Sequence, residues 1–235
     1  PVAAELVARM QDTIRAELTA HCLSPLGRAA IRVRLPAGRA ALPGQPWLAA
    51  APAGGSGFRQ ALYPVGLRAD GFEAEVARAE AWPLGSPLDL LGPLGPGFRP
   101  PRRARRWLLA SLRDDISRLL PLLEDGLQRG CACAVWGGDR AVRLPAAVEV
   151  LPTLADGLSW ADYIALDADP ESLLRWLDAS GAGSPGLHRL AGEILLDLPM
   201  LCGFGGCLAC SVSLRSGWKL ACKDGPVFPL AEVLA

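Results

Sequence analysis

The sequence predicts a small antiparallel β-barrel, then an α/β domain, then a C-terminal metal-binding segment. Three observations carry this. Short alternating runs broken by Gly and Pro fill residues 1–98. Strands then alternate with helical periodicity over residues 99–198. Finally, four of the seven cysteines crowd into the segment 199–235.

Val2, Leu6, Val7, Met10 and Ile14 recur at helical spacing and predict a short opening helix. "RAELTAHCLSPLGRAAIRVRLPAG" follows as two strands around a Ser24-Pro25-Leu26-Gly27 turn, with Leu18, Ala20 and Cys22 sharing one face. The runs "PWLAAAP", "ALYPVGLRA", "FEAEVARAEAW" and "PLDLLGPLG" supply further barrel strands. "PPRRARR" is a stiff basic linker, carrying Arg102, Arg103, Arg105 and Arg106; such a run is a solvated face, or alternatively a docking patch for an acidic partner. Beyond it, "RWLLAS" reads as a strand, "DDISRLLPLLEDGLQRG" as a helix with an irregularity at Pro121, and "CACAVWGG" as a strand. "AVEVLP", "YIALDA" and the helix "PESLLRWLDAS" continue the alternation of a parallel sheet.

Composition narrows the function. The 24 basic and 24 acidic residues cancel, which argues against nucleic acid as the main partner. No apolar run reaches the roughly 18 residues of a bilayer span, and Glu5 and Asp12 interrupt the pattern a signal peptide would need. A cytoplasmic setting with reduced thiols is expected, and an odd cysteine count agrees with it.

Cys202, Cys207, Cys210 and Cys222 are spaced C-x4-C-x2-C-x11-C. The plant-type [2Fe-2S] signature begins C-x4-C-x2-C and takes its fourth ligand from further along. A cluster held by four thiolates is anionic, so its loop must bring backbone N–H groups close to sulfur. Gly203, Gly205 and Gly206 permit that approach, and Lys219 and Lys223 supply positive charge. Zinc is the alternative, although four-cysteine zinc sites show two tight knuckles and only Cys207/Cys210 is that close. Disulfides are a further alternative. Cys22, Cys131 and Cys133 are expected as small core residues, and Trp218 as a shield for the cluster loop. No catalytic Ser-His-Asp or Cys-His constellation is visible.

"CGFGGCLAC" and "GWKLACKDGPVF" closely resemble the C-terminal cluster segment of the electron-transfer subunit of type B dihydroorotate dehydrogenase, a ferredoxin-reductase superfamily member. The order barrel, nucleotide domain, cluster matches as well, with "PGQPWL" and "LDLLGPLGPGF" at barrel landmarks. The resemblance implies a ferredoxin-reductase-like fold. In that family the barrel binds FAD, the α/β domain accepts NADH, and the cluster passes electrons to an FMN-containing catalytic subunit. The family's flavin strand has an Arg-Pro-x-Ser-like motif; here "FRQALYPV" keeps Arg59, with Gln60, Ala61 and Tyr63 at the Arg, Pro and Ser positions. Arg59 and Tyr63 are therefore the candidate flavin contacts. Where the family has a Gly-rich nucleotide loop, this chain has Ser111, Leu112, Arg113, Asp114 and Asp115. Those side chains fill the phosphate's space, and the two aspartates cap the helix and repel anions, so NAD binding is not expected.

The expected function is an iron–sulfur electron-transfer subunit relaying single electrons to or from a partner flavoenzyme in a hetero-oligomer. It is not expected to be a self-sufficient enzyme. Apolar Leu201, Phe204 and Leu208 around the ligands suit a contact face. The alternatives are a complete FAD- and [2Fe-2S]-containing reductase subunit with atypical flavin contacts, or a non-catalytic subunit stapled by a metal site.

Overall fold

The structure, a computed structural model, describes residues 13–50, 59–113, 115–137, 144–179 and 191–234. Seven antiparallel strands form the first sheet: β1 (Thr13–Leu23), β2 (Ala29–Arg34), β3 (Trp47–Ala49), β4 (Gln60–Leu62), β5 (Pro64–Arg68), β6 (Gly71–Glu75) and β7 (Pro87–Leu91). Their order is β4-β3-β7-β1-β2-β6-β5. Strands β4 and β5 thus lie at opposite edges although only Tyr63 separates them in sequence. Two residue steps span about 7 Å at most, so the sheet must curl until its edges nearly meet. "ALYPVGLRA" is therefore two strands with Tyr63 at the seam of an incompletely closed barrel.

The expected opening helix lies mostly outside the described residues, but its last part is corrected: Thr13 and Ile14 belong to β1 and pair with Leu91 and Leu90. The register of β1 on β2 shifts between Leu18 and Ala20. Leu18 opposes buried Val33, whereas Ala20 opposes the outward Arg32. An extra residue at Thr19 thus moves Ala20 to the other face, and Leu18 does not share a side with it. The barrel core is Leu18, Ile31, Val33, Trp47, Leu62, Phe72 and Leu90, with Trp47 stacked on Phe72 at 6.2 Å.

The second sheet runs β10 (Val148–Val150), β9 (Ala132–Trp136), β8 (Arg106–Ser111), β11 (Tyr163–Ala168), β12 (Ala191–Leu196) and β15 (Val227–Pro229). All its pairs are parallel except β12 with β15. Helices cover both faces, as a parallel sheet requires. Trp107, Leu109, Cys133, Val135, Tyr163 and Ala165 bury one face against helix α1 (Leu120–Gln128). Leu108, Ala110, Ile164, Leu166 and Ile194 bury the other against α2 (Leu154–Trp160) and α3 (Pro170–Ala179). Pro121 sits in the first turn of α1, where no N–H is needed, and is not an interruption. The short turn Ser117–Leu119 before it is 3-10 helix.

The C-terminal segment adds the hairpin β13 (Ser211–Leu214) and β14 (Gly217–Leu220), then the four-residue helix α4 (Ala221–Asp224). The chain next enters the α/β sheet as β15 and ends in a short helix, α5 (Leu230–Val233). One core unites the parts: barrel residues Leu48 and Leu91 pack in the same cluster as Leu108, Ile164, Cys210, Cys222 and Phe228. The cysteine segment is thereby wedged at the junction of the two sheets.

Candidate metal centre

The four predicted ligands converge in two pairs. The Cys202 thiol interacts with that of Cys207, and the Cys222 thiol with that of Cys210 and more distantly with Cys202. Cys210 and Cys222 are buried, Cys202 is half-buried and Cys207 is exposed. Among the described residues, no three His, Cys, Asp or Glu side chains gather to hold a single metal ion.

The loop supplies the donors that its glycines predict. The backbone N–H groups of Cys207, Phe204 and Gly206 lie near enough to the Cys202 sulfur to stabilise its charge, and that of Gly205 does the same for Cys222. Burial raises the Cys202 thiol, but these donors and the Cys207 thiol outweigh it and bring Cys202 down to about 7. Burial, then the Cys210 thiol and the nearby Cys210 and Cys202 sulfurs, push Cys222 up to about 12. At Cys222 the neighbouring sulfurs disfavour a thiolate, a penalty that metal coordination would relieve.

Two glycines are fixed by geometry. Gly203 has φ +80°, and a Cβ there would lie 2.5 Å from Leu91 Cδ2 and 3.0 Å from Leu48 Cδ1. Gly205 has φ +81°, with Leu220 Cδ1 at 3.0 Å and Lys223 Cδ at 3.9 Å from such a Cβ. Lys223 therefore stands beside the loop as the sequence suggests. Leu208 also has a positive φ, +59°, and is the only non-glycine to do so among the described residues. It is 61% exposed, as a strained apolar residue at the loop's outer tip. Spacing alone gives no sign of this.

Other expectations are corrected. Trp218 does not cover the loop; it stands 76% exposed on the hairpin, opposite Ser213. Cys22 is half-buried near Glu73, Arg32 and Arg68 rather than in the core, because the register shift before Ala20 turns it to the face that carries Arg32. Cys131 and Cys133 are buried, as expected.

The candidate flavin contacts form no cradle. Arg59 Nη1 is buried without a partner and could meet an anionic oxygen. The Tyr63 hydroxyl is likewise buried and unpartnered, with its pKa raised by burial. Its ring, however, is covered by the Arg118 guanidinium at 4.6 Å. Buried Asp167 holds Arg118 through two hydrogen bonds, and Asp197 adds a contact at 3.2 Å. This ionic plug across the seam shows no pattern in the sequence, since its members lie far apart along the chain. The residues present do not fit a flavin stacked on Tyr63.

At the nucleotide-loop position, the side chains satisfy the backbone themselves. Asp115 accepts from the Ser117 N–H at 2.9 Å and the Ser117 hydroxyl at 2.6 Å, and also binds Arg28 of the barrel. Burial pushes its carboxyl up, but these bonds win and hold it below the ordinary carboxylate value. Ser111 Oγ accepts from the Arg113 N–H at 3.1 Å, and the Arg113 guanidinium pairs with Asp197. Asp114 lies outside the described residues.

Residues 199–234 match the family described as the iron–sulfur cluster binding domain of dihydroorotate dehydrogenase B. The electron transfer subunit of dihydroorotate dehydrogenase B (NAD(+)) from Desulforamulus reducens is 26% identical over 179 residues, 64% of this chain and 66% of that one. Its Clostridium perfringens counterpart is 50% identical over 40 residues, 17% of this chain and 16% of that one. The matched region is thus less than two thirds of either relative. Among solved structures, the NADH-dependent reduced ferredoxin–NADP oxidoreductase superposes with TM-score 0.68 at 18% identity, covering 92% of this chain and 88% of that one.

Fold and segment together define a ferredoxin-reductase-like protein with a C-terminal iron–sulfur cluster binding domain. Within that class, the chain is similar over part of its length to electron-transfer subunits of dihydroorotate dehydrogenase B, and most strongly so in its C-terminal segment.

Proposed function

We propose that this chain is an electron-transfer subunit that holds one [2Fe-2S] cluster on Cys202, Cys207, Cys210 and Cys222. The observation that carries the reading is the gathering of all four cysteines at one loop, Cys202 beside Cys207 and Cys210 beside Cys222, with backbone N–H groups nearby. Two pairs suit two metal atoms, whereas structural zinc wants four ligands around one point. When bound, the cluster supplies one-electron chemistry. Buried Cys210 and Cys222 exclude water on the inner side, and the N–H groups offset negative charge on sulfur.

Exposed Cys207 puts the outer side at the surface, flanked by Leu201 and Leu208, which are 37% and 61% exposed. That apolar rim supports the contact with a flavin-containing catalytic subunit or another redox protein, in a hetero-oligomer. No flavin is needed within the chain, because the plug on Tyr63 disfavours it. A cytoplasmic setting agrees with the seven free thiols. Among the described residues, no helix is long and apolar enough to cross a membrane.

Anaerobic purification followed by iron, sulfide and zinc analysis tests the cofactor. The expected result is two iron and two sulfide per chain, lost or made labile when any one of the four cysteines becomes Ala. Stoichiometric zinc with no sulfide would overturn it. Flavin extraction from the same sample should yield none, and a flavoenzyme should co-purify.

A further inference from the structure

We propose that the turn joining the barrel to the α/β domain docks a carboxylate-rich segment of a partner protein on Arg99, Arg102, Arg103 and Arg105. The inference does not rest on the cluster assignment. The stretch "RPPRRARR", residues 99–106, holds five arginines and no carboxylate in a chain of zero net charge. The four named side chains are exposed, and none of their guanidinium groups has an acceptor among the described residues. By contrast, Arg32, Arg34 and Arg68 on the barrel lie 2.7, 3.0 and 2.9 Å from a carboxylate.

The turn's backbone is pinned. Pro100 and Pro101 fix their own φ angles. Ala104 is buried; its N–H donates to the Pro101 carbonyl at 2.9 Å, and its carbonyl accepts from Trp107 Nε1 at 3.3 Å. Asp162 accepts from the Arg105 and Arg106 N–H groups at 3.2 and 3.1 Å, and from the Arg106 guanidinium at 2.7 Å. Glu193 accepts from the Arg99 N–H at 2.8 Å and from the Tyr163 hydroxyl at 2.6 Å. Both carboxylates that touch the turn are thus spent on its backbone and on other side chains. Four like charges stay close together, and an incoming anion relieves their mutual repulsion. The fixed backbone also lowers the ordering cost of binding.

Guanidinium forks fit carboxylate and phosphate alike, so the surroundings decide between them. Single-stranded nucleic acid sites add aromatic rings on which bases stack, but the rings beside this turn, Phe98 and Trp107, are buried. Duplex binding needs a broad basic footprint, which a chain of zero net charge lacks. Membrane-surface sites add apolar side chains that enter the lipid; Pro100, Pro101 and Ala104 are buried or half-buried, so the turn exposes none. It offers close-set charge alone, which matches a short run of Asp or Glu on a protein surface.

A fluorescein-labelled oligoglutamate peptide is the probe, applied to the intact, anaerobically purified chain. Oligothymidylate of matched charge and phosphatidylserine-containing vesicles are the comparators. Anisotropy follows the peptide and the oligonucleotide, and co-sedimentation follows the vesicles. Oligoglutamate should bind, and more weakly as salt rises. The triple variant Arg102→Gln, Arg103→Gln, Arg105→Gln should weaken it by about tenfold. Arg15→Gln, Arg34→Gln, Arg78→Gln together remove the same charge from the barrel and should leave the affinity within about twofold. Absence of oligoglutamate binding at millimolar concentration would overturn the proposal, as would equal losses in the two folded triple variants. Tighter binding of oligothymidylate or of the vesicles, lost in the first variant, would also overturn it by making the patch a phosphate site.

Discussion

Replacing Gly203 with Ala should damage the cysteine loop more than its one added methyl suggests. Two effects add there. Gly203 has φ +80°, a conformation costing an L-residue roughly 1–2 kcal/mol. The new Cβ would also meet Leu91 Cδ2 at 2.5 Å and Leu48 Cδ1 at 3.0 Å. Both leucines are buried on short barrel strands with little room to retreat, so overpacking adds about 1–3 kcal/mol. The sum is about 2–5 kcal/mol, concentrated on the segment that aims N–H groups at sulfur. Gly217→Ala is the control, because Gly217 has φ +103° but nothing within 4 Å of its Cβ position. It carries backbone strain alone. Metal content per chain and thermal melting should be measured for both variants. Gly203→Ala should lose metal and melt well below Gly217→Ala. If the two variants melt together and retain equal metal, the packing of this loop on β3 and β7 has been misjudged.

Calorimetry with NADH and NADPH should show no binding at millimolar concentration, because Ser111–Arg113 and Asp115 occupy the phosphate corner; a micromolar isotherm would refute this. Phe204→Asp should weaken association with the redox partner while leaving the cluster spectrum nearly intact, since Phe204 gives its N–H, not its side chain, to Cys202; full co-purification of the variant would put the interface on another face. Asp115 is held below its ordinary pKa by Ser117 and Arg28, so its contribution is full above the unfolded value of about 4 and is lost as pH falls through the lower folded value. Asp115→Asn should therefore destabilise the protein at neutral pH, with the gap to the unsubstituted protein closing below about pH 4. A gap that is constant from neutral to acid pH would show that the charge on Asp115 contributes nothing.

The cluster-binding segment was legible because such loops are local. Three of the four cysteines lie within nine residues (202–210), and neighbouring glycines announce a backbone that must approach sulfur. Alternation likewise located most strands, since one buried face imposes a period of two residues wherever it occurs. The side chains of Ser111–Arg113 and Asp115, at the position where the resembled family has glycines, were likewise readable residue by residue. Tertiary structure alone decided features that depend on distant partners. The split at Tyr63 follows from closing the barrel, and the flip at Ala20 from an extra residue that no local pattern marks. The plug of Arg118, Asp167 and Asp197 joins residues up to 79 positions apart (118 to 197), held together because a charge can be buried only beside its partner. Likewise, only packing put Trp218 in solvent and Leu208 at the exposed tip of the loop. Sequence carries the demands of backbone and ligand chemistry position by position, whereas which side chains meet across the junction depends on how two sheets settle against each other.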